Sequence, residues 1–473
     1  MLWVKIDRSL KVTLAKQLFR QLRDKILSNE LKSGERLPST RNLSKELNIS
    51  RNIIVEVYNQ LISEGYLESR EGSGTYVTEN IHLAGYKIQA GFSNKYISDE
   101  KTNREIIDFN SGIPDLEKFP RSTWFKFLRN SFLDAPEYQL DYGKPQGLFD
   151  LRLTLSGFLL KTKGIKCHPD QIIILSGSSE GFLIIGKLLK QDHAGVIIED
   201  PIYNGIQKIF NILDIKLYPI PVDERGIKTD LFPKDMKNHF IAVTPSHQFP
   251  TGSVLPIQRR IELIELAKNM NTCIIENDYD SEFRYIGPQI SSLHLLDPDI
   301  VIHIGTFSES LYPSLRLGYM VIPESMVRNC CEIKESYGLF TPSICQIALS
   351  NFIKEGLFER HINKMKRLYK SKRKILIERL KYEFRSLVKI SGDSTGLYIV
   401  AGFKNVTFTD QIINELLNNK VRVYRMEDHS IIKGKYKNKI ILGYGNLKNK
   451  EIEEGIKRIK ESLKEYLKSS LLL

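Results

Sequence analysis

From Ile106 onward the chain alternates short, wholly apolar runs with helical patterns, and this alternation limits the fold more than any other feature. The runs are Ile172–Leu175, Gly195–Ile198, Phe240–Val243, Cys273–Ile275 and Val301–Ile304. Each is strand-length, rich in β-branched residues, and has no polar face. A strand of that kind is buried on both sides, which requires helices over both faces of a sheet. Between the runs, Leu148–Leu160, Glu180–Leu189 and Ile257–Lys268 carry helical spacing. The expectation is an α/β domain with a mostly parallel sheet. After about residue 350 the pattern becomes Lys-rich helix, including 363–381, then short strands, then a last helix near 448–467. That predicts a smaller C-terminal α+β lobe.

A chain of 473 residues exceeds one small core. Residues 1–78 read as a helical head, 79–105 as a linker with scattered Gly, Ser and Asn, 106–350 as the large domain and 351–473 as the small one. The five Cys are odd in number and show no CxxC spacing, so neither a disulfide framework nor a metal site is expected. Early charges at Lys5, Asp7, Arg8 and Lys11 break any signal peptide, and no apolar run is long enough to span a bilayer. A cytoplasmic protein with no membrane partner is expected. The net charge of +13 favours an anionic partner, nucleic acid or phosphate, without specifying fold.

In the head, Leu14, Leu18, Leu22 and Ile26 recur every four residues and predict an amphipathic helix. Pro38 and Ser39 open a second helix, with Leu43 and Leu47 inward. Asn48 and Ile49 form a turn, and Ser50 caps a third helix whose buried face is Ile54, Val57, Tyr58 and Leu61. Two helices joined by so short a turn are a helix-turn-helix. Residues 65–77 then place two strand segments around the Gly72-Ser73-Gly74 turn, as a β wing requires. Over LPSTRNLSKELNISRNIIVEVYNQLISEGYLESREGSGTYV the sequence resembles the GntR class of winged helix-turn-helix regulators. The resemblance implies contacts to double-stranded operator DNA from Arg41, from Ser50, Arg51 and Asn52, and from Arg70 and Gly72 at the wing. Arg51 suits a guanine edge or phosphate, and Asn52 suits adenine. Ile53 and Val55 stand where the class often has Thr and Arg, which predicts a sparser reading surface. Residues 1–78 hold 13 Lys/Arg against 9 Asp/Glu, a net of only +4, so useful affinity calls for a dimer.

The body carries a second ordered set of motifs: IDFNSGIPDLEKFP, YGKPQGLFDLR, ILSGSSEG, EDPIYNG, VTPSHQFPTG, IIENDYDSEFRY, GTFSESLYPSLRLGYMVIP and ILGYGNL. These resemble a fold-type I pyridoxal-phosphate aminotransferase over about residues 106–465. Joined to the head, they resemble the MocR/GabR subfamily of regulators. The resemblance implies a homodimer and a pyridoxal 5′-phosphate pocket. Ser178 and Ser179 would begin a phosphate cup at a helix N-terminus. Thr306, Ser308 and Arg316 would complete it, Arg suiting phosphate by its bidentate fork. Tyr203, His247 and Tyr279 would lie beside the ring.

Two positions break the pattern. Glu309 replaces the Schiff-base Lys, and a carboxylate cannot form an imine with the cofactor aldehyde. Asn277 replaces the Asp that pairs with the pyridine nitrogen, and a neutral amide does not stabilise a pyridinium. Asp278 is adjacent, but strand alternation points it to the opposite face. Ile441 takes the place of the Arg that holds a substrate carboxylate, leaving Arg422, Arg425 and Lys439 as nearby substitutes. Glu180 follows the cup, where a carboxylate about 6 Å from phosphate opposes binding by roughly 3 kcal/mol at an effective dielectric of 20. Any bound cofactor is therefore expected without a Schiff base. Three readings stay open: a regulator with an inactive pocket sensing a vitamer, amino acid or adduct; a ligand-free scaffold with a decayed pocket; and an aminotransferase-family enzyme working without lysine.

Overall fold

The computed structural model describes residues 4–10, 12–81, 105–190, 195–233 and 239–468. Most of the expected linker, 82–104, lies outside the described residues. The chain divides into two compact units, Met1–Thr102 and Asn103–Leu473.

The first unit has three helices, α1 (Leu14–Leu27), α2 (Thr40–Leu47) and α3 (Arg51–Ser63), then a hairpin of β1 (Leu67–Arg70) and β2 (Gly74–Val77). The helix starts fall where capping chemistry places them. Thr13, Ser39 and Ser50 each accept a backbone amide from the first turn of the helix they precede. Asn48 ends α2 in the left-handed region at φ 51°, which frees the chain to turn sharply into α3. Leu18, Leu22, Leu43, Ile54, Val57 and Leu61 close the core.

In the second unit β3 (Ile107–Asp108) comes first, followed by α4 (Arg121–Asp134) and α5 (Phe149–Lys163). The large lobe then builds β4 (Ile172–Leu175), α6 (Ser178–Leu189), β5 (Gly195–Asp200), α7 (Asn204–Ile212), β6 (Lys216–Asp223), β7 (Gly226–Ile227), β8 (His239–Val243), α8 (Ile257–Asn269), β9 (Ile274–Asp278), β10 (Val301–Thr306) and β11 (Gly318–Val321). Among the described residues these strands form an eight-stranded sheet in the order β4-β11-β10-β9-β8-β5-β6-β7, parallel except at β11 and β7. Alternation along β4 shows why both faces are apolar. Ile173 and Leu175 pack into one core with Phe182 and Ile185 of α6; Ile172 and Ile174 pack into another with Leu155 and Leu159 of α5.

The small lobe follows helices α9 (Glu324–Ser336), α10 (Ser343–Lys354) and the long α11 (Leu357–Phe384). It contains β12 (Val388–Ser391), β13 (Tyr398–Phe403), α12 (Asp410–Asn418), β14 (Val421–Arg422), β15 (Tyr424–Arg425), β16 (Lys439–Gly443) and α13 (Asn449–Lys468). One assignment made from sequence is corrected. β3 pairs in parallel with β14, and Ile107 and Phe109 belong to the small-lobe core. The start of the second unit therefore serves the C-terminal lobe, since its apolar side chains find their partners only there. Among the described residues no helix is long and apolar enough to cross a membrane, and no group of three or more His, Cys, Asp or Glu is placed to hold a metal ion.

Candidate functional site

In an open parallel sheet, ligands collect at the carboxyl ends of the strands. The motif residues lie there, after β4, β5, β8, β9 and β10. The turn from β4 into α6 passes through Gly177 at φ +135°, a region that favours glycine. A Cβ added at Gly177 would stand 3.3 Å from the Arg316 guanidinium. Arg316 thus reaches the N-terminus of α6 from across the sequence, and the missing Cβ leaves the cradle open. Helix amides and a guanidinium converging on one place suit a phosphate. Ser178 is half-buried and Ser179 exposed at the first turn of α6. Thr306 donates through Oγ1 to Ser308 Oγ at 3.0 Å and accepts from the Ser308 amide at 3.2 Å, so these two are brought together after β10.

Glu180 behaves differently from the sequence expectation. Its carboxylate accepts from the Ser176 amide at 2.6 Å and from the Ser176 hydroxyl, and Lys334 Nζ lies 2.6 Å from its other oxygen. Both Glu180 and Lys334 are buried. The adjacent ammonium offsets the carboxylate, so the predicted penalty on phosphate binding is removed. Lys334, 154 residues away on α9, carried no local signal of this pairing.

The ring end is built on β9 and the loop after β8. Asn277 and Asp278 point to opposite sides, as alternation predicts. Asp278 accepts from Lys163 Nζ at 2.6 Å and from Ser281 Oγ at 2.9 Å. Lys163 also stands 2.9 Å from Glu282. Burial lowers the Lys163 ammonium, but the Asp278 and Glu282 charges outweigh it and hold it well above the ordinary range. Asn277 is buried, and its Oδ1 finds no partner among the described residues. His247 Nδ1 is 2.9 Å from both oxygens of Asp280 and 3.1 Å from the Tyr279 hydroxyl; its Nε2 has no partner among the described residues. Tyr279 also reaches the Tyr398 hydroxyl at 3.2 Å. Tyr203 is 47% exposed and stacks on His429 at 6.1 Å, with Phe249 edge-on.

Glu309 completes the set. It is half-buried, and its enclosed Oε2 has no hydrogen-bond partner among the described residues. Burial, with the charges of Asp280 and Glu282 acting in the same direction, pushes its carboxyl up to about 8. It is therefore mainly a neutral acid at pH 7. Unpaired buried polar atoms are rare and costly, each about 1–3 kcal/mol. Asn277 Oδ1, His247 Nε2 and Glu309 Oε2 near one strand-end region fit a polar heteroaromatic ligand with a phosphate at the Gly177 cradle. A covalent lysine link does not fit, because Glu309 stands in its place.

Of the substitutes expected for a carboxylate-binding Arg, the two arginines are engaged in ion pairs. Ile441 is buried on β16. Arg422 binds Asp108 at 3.2 Å, and Arg425 binds Asp410 at 2.5 Å and Asp428 at 3.1 Å. Lys439 lines a separate cavity of about 370 Å³ with Lys389, Lys435 and Tyr436.

In the head, Arg41, Ser50, Arg51, Asn52, Arg70 and Gly72 are all exposed. Arg51 Nε donates to Thr40 Oγ1 at 3.4 Å, joining the starts of α2 and α3. Arg70 lies over the Tyr76 ring and pairs with Glu68 at 2.6 Å. Gly72 takes φ +72° at the wing turn. Ile53 packs partly against the head core. Its apolar character therefore has a packing reason.

A winged helix-turn-helix head and a fold-type I aminotransferase body on one chain define the class of DNA-binding regulators that carry an enzyme-derived domain. The body, residues 104–459, matches the family model Aminotransferase class I and II; residues 14–77 match Bacterial regulatory proteins, gntR family. The chain is 34% identical to the uncharacterized HTH-type transcriptional regulator YdeL of Bacillus subtilis, covering 97% of this chain and 98% of that one. It is 29% identical to the probable rhizopine catabolism regulatory protein MocR of Rhizobium meliloti, covering 97% and 95%. Its body is similar to the crystal structure of Pyrococcus horikoshii kynurenine aminotransferase in complex with PMP, with a TM-score of 0.70 and 27% identity over 77% of this chain and 92% of that one. The chain belongs to the MocR-type transcription regulators of the GntR family, which join a gntR helix-turn-helix to an aminotransferase-like domain.

Proposed function

We propose that this regulator binds operator DNA as a cytoplasmic homodimer and uses its aminotransferase-like domain as a non-catalytic sensor of a phosphorylated pyridoxyl compound. The observation that carries this reading is Glu309 at the lysine position, with an unpartnered carboxyl atom beside a pocket otherwise equipped for such a ligand. Arg316 and the α6 N-terminus take the phosphate. Asn277, His247 and Tyr279 take the ring. The kynurenine aminotransferase, solved with PMP, makes a ligand of this class reasonable for the shared fold. With no lysine to move a proton and no carboxylate aimed at the pyridine nitrogen, the pocket holds its ligand without turning it over.

On the DNA side, Arg41, Ser50, Arg51 and Asn52 meet the major groove and its phosphates, and Arg70 and Gly72 of the wing track the backbone. Dimerisation is supported by exposed apolar residues from α4 to the start of α5: Phe125, Phe132, Leu133, Tyr138, Tyr142 and Phe149. Exposed aromatic and aliphatic side chains in such density mark an association surface.

The test is a gel-shift assay on DNA upstream of the regulator's own gene, with and without pyridoxal and pyridoxamine phosphates. The expected result is a sequence-dependent, salt-sensitive shift whose midpoint moves with the ligand. No such shift under any ligand condition overturns the regulatory reading. Covalent cofactor mass after borohydride treatment overturns the non-covalent one.

A further inference from the structure

We propose that Glu309 makes this pocket select a phosphorylated pyridoxyl ligand bearing an amine at C4′, such as pyridoxamine 5′-phosphate, over the corresponding aldehyde. The inference rests on the sensor reading above and goes beyond it by naming the chemical form of the ligand and the residue that chooses it.

The argument starts from charge. Three carboxyl groups, Asp280, Glu282 and Glu309, lie near enough that the first two act electrostatically on the third. Asp280 has the His247 ring nitrogen as a hydrogen-bond partner at 2.9 Å. Glu282 shares Lys163, at 2.9 Å, with Asp278. Among the described residues no cation pairs with Glu309, and its enclosed Oε2 has no hydrogen-bond partner. What Glu309 lacks is a partner cation, at the position from which the family's lysine reaches C4′. A ligand ammonium at C4′ supplies that charge and a donor together. It turns an unsatisfied buried acid into a charge-assisted hydrogen bond, about twice as strong as a neutral one. An aldehyde brings only an acceptor oxygen. It takes one neutral hydrogen bond from protonated Glu309 and is repelled by the ionised form.

Asn277 points the same way. Its buried side-chain amide offers the ring nitrogen a neutral partner, whichever way the amide is turned. The acid next to it, Asp278, is spent on Lys163. The ring nitrogen therefore lacks the carboxylate that would hold it protonated as an electron-withdrawing pyridinium, and a bound amine persists as an amine. A sensor requires a ligand that survives binding.

Titration calorimetry on the full chain at pH 7.5 tests this with pyridoxamine 5′-phosphate and pyridoxal 5′-phosphate, using wild type, Glu309→Gln and Glu309→Lys. In wild type the amine is expected to bind at least about tenfold tighter, the scale of one charge-assisted contact. The ratio is expected to fall towards one in Glu309→Gln, which keeps shape and loses charge, and to reverse in Glu309→Lys. Equal wild-type affinities overturn amine selection while leaving the phosphate pocket intact, as does a ratio unchanged in Glu309→Gln. No binding of either compound to wild type overturns the sensor reading itself. If a variant fails to fold, the wild-type ratio decides.

Discussion

Lys163 Nζ lies 2.6 Å from Asp278 Oδ2, with side chains 3% and 6% exposed, and this pair spends the acid that stands next to Asn277. Lys163 ends α5 and Asp278 ends β9, so the bond also ties a helix to the carboxyl edge of the sheet. Breaking one side of a buried pair leaves an uncompensated charge and costs about 3–5 kcal/mol. Lys163→Met is expected to lower the unfolding free energy of the body by that order, because both Asp278 and Glu282 lose their cation. Urea unfolding followed by circular dichroism checks it. A change below about 1 kcal/mol would mean the pair is not the support described.

Glu309 and Glu199 are both pushed up to about 8 by burial, from an ordinary value of 4.5. The sign follows from proton counting. Between these values the folded chain holds protons that the unfolded chain has released, so stability falls as pH rises. The contribution is full below about 4.5 and gone above about 8, with a slope of at most about 1.4 kcal/mol per pH unit per group. Glu309→Gln is expected to flatten this decline. Its melting temperature should gain on wild type from pH 5 to about pH 8 in ligand-free protein and then hold its lead. A constant offset across that range contradicts the assignment.

Pyridoxamine 5′-phosphate should show the linked effect. Pairing with an ammonium favours ionised Glu309, so binding at pH 6–7 releases a proton from its carboxyl. Affinity is expected to rise by up to about tenfold per pH unit between 6 and 8 and then level off. Calorimetry in two buffers of different ionisation enthalpy reads the proton directly. Binding without proton release at pH 7 would contradict it.

What the sequence made legible was local. Ile172–Leu175 was expected as a strand from composition alone and is one, because a run buried on both faces carries no polar residue to blur it. The caps at Ser39 and Ser50 and the Asn48 turn were legible for the same reason: their partners lie within five residues. The opposite faces of Asn277 and Asp278 followed from strand periodicity. Long-range pairs were not legible. Lys163 meets Asp278 across 115 residues and Lys334 meets Glu180 across 154, and neither lysine sits in a motif. The cation that offsets Glu180 beside the phosphate seat therefore has no local signature. Ile107 and Phe109 misled similarly, since nothing near them in sequence points to β14 and the small-lobe core.

For the head, Arg51→Ala and Asn52→Ala are each expected to weaken operator binding by about 1–3 kcal/mol and to relax preference at one base position. Arg70→Ala is expected to act on all sequences alike and to reduce the salt slope by about 1. Its ion pair with Glu68 means that part of its charge is already answered in the free protein. Ser50→Ala removes the cap on α3 and should cost about 1 kcal/mol of head stability as well. Fluorescence anisotropy across a salt series, with circular dichroism as the folding control, separates these roles.

Gly177 and Arg316 give the sharpest test of the phosphate seat, because they meet from opposite sides of the same space. Gly177→Ala places a methyl group 3.3 Å from the Arg316 guanidinium at a backbone angle that alanine rarely adopts. The guanidinium must move, and the cradle at the α6 N-terminus is filled. Arg316→Ala removes the charge while leaving the cradle. Both are expected to weaken pyridoxamine 5′-phosphate, the Arg variant by about 10- to 100-fold, the scale of a charge-assisted pair. Only phosphate affinity should suffer in Arg316→Ala, so unphosphorylated pyridoxamine should bind it and wild type alike. Thermal shift against both compounds distinguishes the cases. If Arg316→Ala loses the phosphorylated and unphosphorylated amines equally, Arg316 shapes the pocket as a whole and the phosphate lies elsewhere.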